Sequence, residues 1–594
     1  MTPMIQRAHA AGTRDSTGRP ASRHWRNQAD YAISAALDPA TAIVTASETI
    51  TYHNNSPDTL GALIVRLFQN YFTPGAARND YITDVTDGMV IDRLMVDGRP
   101  AKFAPRGMLD PTATVQVLPL TTPLAPGARI SIEVSWRFEV PDVPRTQRGQ
   151  RMGRWGNELF QVAQWFPQIA VYDDLRGWAT DPYRGDSEFY NEFGSYDVRV
   201  TVPAGWLVGA TGVLMNPDAV LSKQTRDRLA LARRSDTTVR VVTPAERGAG
   251  EGKATAAGQT LTWHFRADTV NDFAWATART YAYDAGRAMA PDTVMIHTLF
   301  DPVRDYSKTT SYGKFALEWH ARRLMPYAFP TLWIVDGPEG GMEYPTIIFN
   351  GPGFGVTNHE TAHQWFPMMV GSNENWYGWM DEGFGGYLNY FAGRDFQGTA
   401  GNPAEIGAGY RRVAGDELEA PMMWPGDLSG PNYAVHTYRK MPAVLRSLGG
   451  MVGDSVVIAA MGDYAKAWKW KHPSPWDFMF FMNERLGRDL GWFWHQWLFT
   501  TRTADQAIAS VTIEGQEARI LIEDHGELAL PVALRIEYGD DSSELIGRPA
   551  DVWFGGARSL VIRHPTGGRA IRRVVLDPEL RAQDLRTADN VWPR

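Results

Sequence analysis

The stretch with most chemical content is N-H-E-T-A-H-Q-W-F, Asn358 to Phe366, which holds His359, Glu360 and His363. On a helix, positions i and i+4 share one face about a turn apart, so two imidazoles there can grip one metal ion. The carboxylate between them then reaches a water on that ion, which is the spacing of a zinc hydrolase. The plainer alternative is an amphipathic helix with two histidines facing a polar neighbour. What separates the two readings lies downstream. Eighteen residues separate His363 from Glu382, in W-M-D-E-G-F-G-G-Y. A catalytic zinc with two His ligands takes a third protein ligand, usually a carboxylate, and leaves a fourth position for water. Glu382 is expected to open a second helix and present that carboxylate. Gly383, Gly385 and Gly386 are poor helix formers, and they read as letting the two helix backbones approach. Glu360 is then not a ligand but the base that moves a proton from water to the leaving amine. Asn358 is expected to cap the first helix. Pro367 has no N–H for the carbonyl of His363, so the helix should kink or end there.

Upstream lies G-P-E-G-G-M-E-Y-P, residues 337–345. The pair Gly340-Gly341 lets backbone approach a ligand closely. Glu343 follows Met342, just before an apolar strand-like T-I-I-F, where an acidic side chain on an edge can hold a substrate's α-ammonium group. Taken alone, the segment is better read as an ordinary surface turn with a solvated Glu.

These residues need elements to hold them. At 594 residues the chain is too long for one core. The hydrophobic share (44%) and charged share (21%) are those of globular proteins. A net charge of −8 without a dense basic run gives no support to nucleic-acid binding. The basic cluster Arg226 to Arg234 reads as a solvated helix face. With no cysteine in the chain, thiolate ligands and disulfides are excluded. No run approaches the roughly 18 apolar residues of a membrane span. Residues 1–28 are expected to form a disordered leader, with Ala8-His9-Ala10 resembling the end of an export-signal cleavage site. From 29 to 267, period-two alternation with Pro/Gly/Asn/Asp turns predicts a large antiparallel β domain, with a helical insertion at about 217–234. Between 268 and 503 helices dominate after a mixed start, notably over 311–325, 440–461 and the Trp-rich 465–499. Short strands return over 504–594 and predict a β-sandwich. The fold class is therefore multidomain α+β.

G-G-M-E-Y, then H-E-T-A-H, then Glu382 in W-M-D-E-G together resemble the membrane alanyl aminopeptidase family of gluzincins, which includes leukotriene hydrolase-type enzymes. The resemblance covers nearly the whole chain from about residue 30. It implies an N-terminal β domain, a thermolysin-like α/β catalytic domain and a C-terminal β-sandwich. It also implies one zinc ion on His359, His363 and Glu382, with Glu360 as the catalytic base. Glu343 would bind the substrate amino terminus, beside the backbone of Gly340, Gly341 and Met342. The family's usual motif is G-x-M-E-N, and here Tyr344 stands in the place of the Asn. The family's oxyanion-stabilising Tyr, often in Y-x-K-G, maps onto Tyr438, with Met441 where the Gly would be and Tyr433 as rival. A Gln or Glu of the β domain that shares the substrate ammonium maps onto Gln164, in L-F-Q-V-A-Q-W-F-P. Many members continue into a helical domain after the sandwich, and none is expected within these 594 residues.

The expectation is a zinc aminopeptidase acting on peptides with a free amino terminus. The alternatives are a thermolysin-type endopeptidase, an epoxide hydrolase as in one branch of the family, and a non-catalytic scaffold of the same fold. The cysteine-free chain and the A-x-A-like start lean towards an exported bacterial protein.

Overall fold

The computed structural model describes residues 1–104, 113–248, 254–402, 405–417, 419–426 and 433–593. The chain divides into two compact units. The first comprises Met1–Asn375 with Gly462–Phe478, the second Trp376–Met461 with Met479–Arg594. This division cuts through the stretch expected to be the catalytic domain. Its mixed first part goes with the β domain, and most of its helices go with the sandwich.

In the first unit the period-two segments pair as predicted. An eight-stranded sheet runs in the order Val213–Leu214, Thr260–Val270, Gly194–Pro203, Gln28–Asp38, Ile43–His53, Arg129–Glu139, Val90–Val96 and Arg99–Pro100. Alternate residues of Ile43–His53 and Arg129–Glu139 face inward, setting Ile50 opposite Ile132 and Val44 opposite Phe138. The sheet is not wholly antiparallel, since Gln28–Asp38 pairs parallel with Gly194–Pro203.

A second sheet carries the functional residues. Its order is Val239–Val242, Ala282–Met289, Thr293–Phe300, Thr331–Val335, Ile347–Asn350 and Gly341–Tyr344. Thr331–Val335 is parallel to both its neighbours, and Gly341–Tyr344 returns antiparallel to form the edge. The three parallel strands are almost wholly buried, consistent with their continuous apolar runs. The helices Thr309–Arg323 and Phe354–Ala362 pack on each other and on this sheet. The insertion at 217–234 is helical, as Pro217–Val220 and Lys223–Ala232, and the chain leaving it supplies the sheet's other edge, Val239–Val242.

The expected disorder of residues 1–28 does not hold. Pro3–Ala11 is a helix with Ile5 and Ala8 buried, so the A-x-A-like site lies inside regular structure. Arg14 is buried between Asp174, at 2.7 Å, and Asp477, and its guanidinium lies over Trp468. The Trp468 indole N–H donates to the Gly18 carbonyl at 2.8 Å. Polar composition suggested disorder here because the partners that neutralise Arg14 are 160 and 463 positions away in sequence.

In the second unit, Glu382–Gln397 and Met441–Val452 are helices packed together. The sandwich has a three-stranded sheet (Gln506–Glu514, Glu517–Asp524, Ser559–Pro565) and a four-stranded one (Ser543–Arg548, Val532–Tyr538, Ile571–Leu576, Val591–Trp592). Ile520, Ile522, Leu534, Ile536, Trp553 and Val574 fill the space between them. Among the described residues no single helix is long and apolar enough to cross a membrane.

Candidate functional site

The helix bearing the histidines starts four residues earlier than Asn358, at Phe354, with Gly353 in the capping position. Asn358 is therefore not the cap. It lies buried in mid-helix near His320, whose imidazole is pushed down to about 3 mainly by burial. The helix closes at Ala362, and Met368, beyond Pro367, donates to the His363 carbonyl at 3.0 Å. The missing N–H of Pro367 thus ends the helix where expected. One helical turn survives between the histidines, with His363 N to His359 O at 3.3 Å.

That turn makes the two rings converge. Nδ1 of His363 lies 2.9 Å from the Phe366 carbonyl, an acceptor only, so Nδ1 carries the hydrogen and Nε2 presents a lone pair. This Nε2 is 3.2 Å from Nε2 of His359. Two ring nitrogens so placed share one proton or one metal ion, and a carbonyl on the far nitrogen is what orients a ligating imidazole. Two imidazoles with carboxylates nearby, and no thiolate, form a donor set suited to zinc.

The edge strand Gly341–Tyr344 brings Glu343 to the same place. Oxygens of Glu343 and Glu360 and a ring nitrogen of His363 lie within 4.8 Å of one another, all three residues buried. Glu343 Oε1 is 3.9 Å from His363 Nδ1. Glu343 is thus no solvated turn residue. Gln364 fixes this register: its amide donates to the Tyr344 carbonyl at 3.0 Å and accepts from Thr346 N at 2.8 Å, tying the histidine helix to the end of the edge strand.

The glycine pair is held as a unit. Gly340 N and Gly341 N donate to Glu339 Oε1 at 3.0 and 3.3 Å. Arg148 donates to the same Glu339 oxygen and to the Gly341 carbonyl, and its guanidinium also feels the Glu360 carboxylate. Burial pushes the Glu339 carboxyl up, with Arg148 pulling against it. A Cβ on Gly341 would lie 3.2 Å from Glu360 Oε1, so the absence of a side chain there leaves room for the carboxylate. Met342, one residue before Glu343, points to the other face of the strand, where it is buried beside Arg151. Its side chain is part of the core, and only its backbone belongs to the candidate site. Tyr344 is also core, with its hydroxyl donating to the Arg151 carbonyl at 3.0 Å.

Gln164 is buried in a left-handed backbone conformation, φ +49°. Its carbonyl accepts from Gln69 at 2.8 Å, its side chain lies by Tyr183, and it makes no hydrogen bond to Glu343. A neighbouring glutamine, Gln161, three residues earlier, grips the glycine segment. Its amide donates to the Glu339 carbonyl at 3.1 Å and accepts from Glu339 N at 2.7 Å. Gln161 and Arg148 were not singled out in the sequence. The signal available for Gln161 was its place in the same L-F-Q-V-A-Q segment, while the partners of Arg148 are 191 and 193 positions away.

In the second unit, Glu382 is the first residue of its helix, as expected, with Asp381 at the cap position. Two of the glycines that follow, Gly383 and Gly386, permit close packing within this unit. A Cβ on Gly383 would meet the Met441 Cβ at 2.5 Å, and one on Gly386 would meet Pro442 at 3.2 Å. The segment they admit includes Tyr438, which lies in a π-helical turn, Val435–Lys440, a form frequent at functional sites. Tyr438 is 39% exposed, whereas Tyr433 turns its hydroxyl towards Gly378. Lys440 anchors the turn from within, donating to Glu419 at 2.6 Å and to the Thr500 carbonyl at 3.2 Å.

Residues 353–497 match the Peptidase family M1 domain. Aminopeptidase M1-A of Oryza sativa subsp. japonica is 23% identical over 264 residues, covering 37% of this chain and 29% of the rice protein. Among solved structures, a mutant M1 zinc metallopeptidase from Deinococcus radiodurans bound to a Tyr-Ser-Ala substrate aligns with TM-score 0.54 at 14% identity. The alignment covers 82% of this chain and 98% of that one. Legionella pneumophila aminopeptidase A in complex with aspartic acid aligns with TM-score 0.62 at 10% identity, covering 93% and 59%. At these identities the structural likeness concerns the fold.

Proposed function

The chain carries a peptidase family M1 domain, and from that premise we propose that it is a zinc aminopeptidase, removing the first residue from peptides with a free amino terminus. One observation carries the reading: the 3.2 Å convergence of the His359 and His363 ring nitrogens beside two buried carboxylates, Glu343 and Glu360. We assign one zinc ion to His359, His363 and Glu382, the last from its spacing and its place at a helix start. When bound, zinc supplies a Lewis acid that polarises the scissile carbonyl and acidifies water.

The chain's own groups do the rest. Glu360 takes a proton from the attacking water and returns it to the leaving amine. Glu343, buried and acceptor-only, holds the substrate's α-ammonium group, so the first peptide bond is the one set against Glu360. Glu339 and Arg148 keep the Gly340-Gly341 backbone in place along the edge strand, and Gly341 leaves room for the Glu360 carboxylate. Tyr438 donates its phenol O–H to the oxygen that gains negative charge.

The test is a panel of aminoacyl reporter substrates, free and amino-blocked, with zinc-loaded and chelator-treated enzyme. Cleavage of free forms only, lost with chelator and restored by zinc, is expected. Equal cleavage of blocked forms would support a thermolysin-type endopeptidase instead, and absence of turnover despite bound zinc would leave a scaffold.

A further inference from the structure

Away from the peptidase residues, a cavity of about 550 Å³ opens between the helical insertion and the second sheet of the first unit. This is the size of a small-molecule site. Its walls are largely apolar, with Val213, Leu214, Leu229 and Met295 among them. Its floor is aromatic. The His297 ring stacks on Trp333 with centroids 4.1 Å apart and planes 21° apart, and Tyr283 lies nearly parallel to Trp333.

The polar atoms of that floor have a defined direction. The Tyr283 hydroxyl is 2.6 Å from His297 Nδ1 and has no other acceptor among the described residues, so it donates to Nδ1. Burial, reinforced by Arg233, pushes the His297 imidazole down to about 3, so the ring is neutral. A neutral ring that accepts at Nδ1 carries its hydrogen on Nε2, which has no hydrogen-bond partner among the described residues. Arg233 lines the same cavity close enough to act on His297. Three other charged side chains of the lining are satisfied: Arg226 pairs with Asp218, and Asp227 accepts from Lys223 at 2.6 Å. Arg233 has no ion-pair partner among the described residues.

We propose that this cavity is a second binding site, for a small aromatic carboxylate without an amino group. The aryl body stacks in the apolar cavity above Trp333 and His297, while the carboxylate accepts from Arg233 and His297 Nε2. An α-ammonium group finds no counter-charge, because Asp218 and Asp227 already have partners. The site thus selects against the free amino acids that the peptidase residues would release, and it does not depend on the peptidase assignment.

Indole-3-propionate is the probe, titrated calorimetrically into the full-length zinc-loaded protein. Saturable one-site binding is expected, with tryptophan failing to compete. Arg233→Glu, which reverses the charge, and Ala230→Trp, which fills the cavity from an exposed helix position, should each weaken binding at least tenfold while thermal melting stays unchanged. Binding unaltered in either variant overturns the proposal. So does competition by tryptophan, absence of binding at millimolar probe, or binding abolished by Glu343→Gln, which would move the probe to the peptidase residues.

Discussion

Oε1 of Glu360 lies 3.2 Å from the point where Gly341 would carry a Cβ. The glycine's lack of a side chain and the position of the base are therefore one feature. Gly341→Ala forces a shift of a few tenths of an ångström, and the group that must give is the carboxylate. Misplacement by about 1 Å costs on the order of a hundredfold in rate. The smaller shift here is expected to lower kcat roughly tenfold with KM and zinc content little changed. Unchanged kcat would mean that Glu360 has slack and that Gly341 serves only the turn.

Tyr438 and Tyr433 are separated by their exposure. The phenol of Tyr438 is exposed on a π-helical turn whose other residues are mostly buried, while Tyr433 points towards Gly378. Losing one oxyanion donor costs about 10²–10³ in kcat. Tyr438→Phe is expected to show that loss with KM nearly unchanged, and Tyr433→Phe is not. Gly383→Ala, which meets Met441, should also lower kcat by displacing the turn. The same loss in Tyr433→Phe, with Tyr438→Phe active, would reverse the assignment.

The candidate metal ligands stand out in the sequence because they are local: i, i+4 spacing on one helix, then a carboxylate at a helix start. The strands were legible from alternation, and the sandwich from turns between short strands. What could not be read is long-range pairing. Arg14 has its partners far along the chain, and Glu339 meets Arg148 191 positions away. The parallel pairing of Gln28–Asp38 with Gly194–Pro203 leaves no local trace either. Gly383 and Gly386 revealed that a backbone comes close, but not which one. Gln164 and Gln161 share one short segment, and only the fold distinguishes the one bonded to Glu339.

Glu48 faces the interior of the large sheet, opposite Val134, and neither carboxylate oxygen has a hydrogen-bond partner among the described residues. Burial alone pushes its carboxyl well above the ordinary 4.5. A folded-state pKa raised in this way favours folding with the proton on. The contribution is fully present below the unfolded pKa and is lost as pH rises towards the folded one. Glu48→Leu is therefore expected to raise Tm at pH 7 by more than at pH 4. A Tm difference that does not grow with pH would mean the carboxylate finds compensation in the sheet.

Arg14 joins the N-terminal segment to the rest of the first unit through Asp174 and Asp477, with both ion pairs buried. Removing one partner of a buried ion pair costs about 3–5 kcal/mol, because the remaining charges stay desolvated. Arg14→Ala is expected to destabilise by that order in denaturant unfolding followed by Trp fluorescence. Arg14→Lys should recover part of the loss, since it keeps the charge but not the planar fork that reaches both carboxylates. Deleting residues 1–25 should match or exceed the Arg14→Ala loss, because Asp174 and Asp477 are left unpaired and the Trp468 indole loses the Gly18 carbonyl. A truncated protein as stable as the full chain would show that the segment rests on the first unit without supporting it.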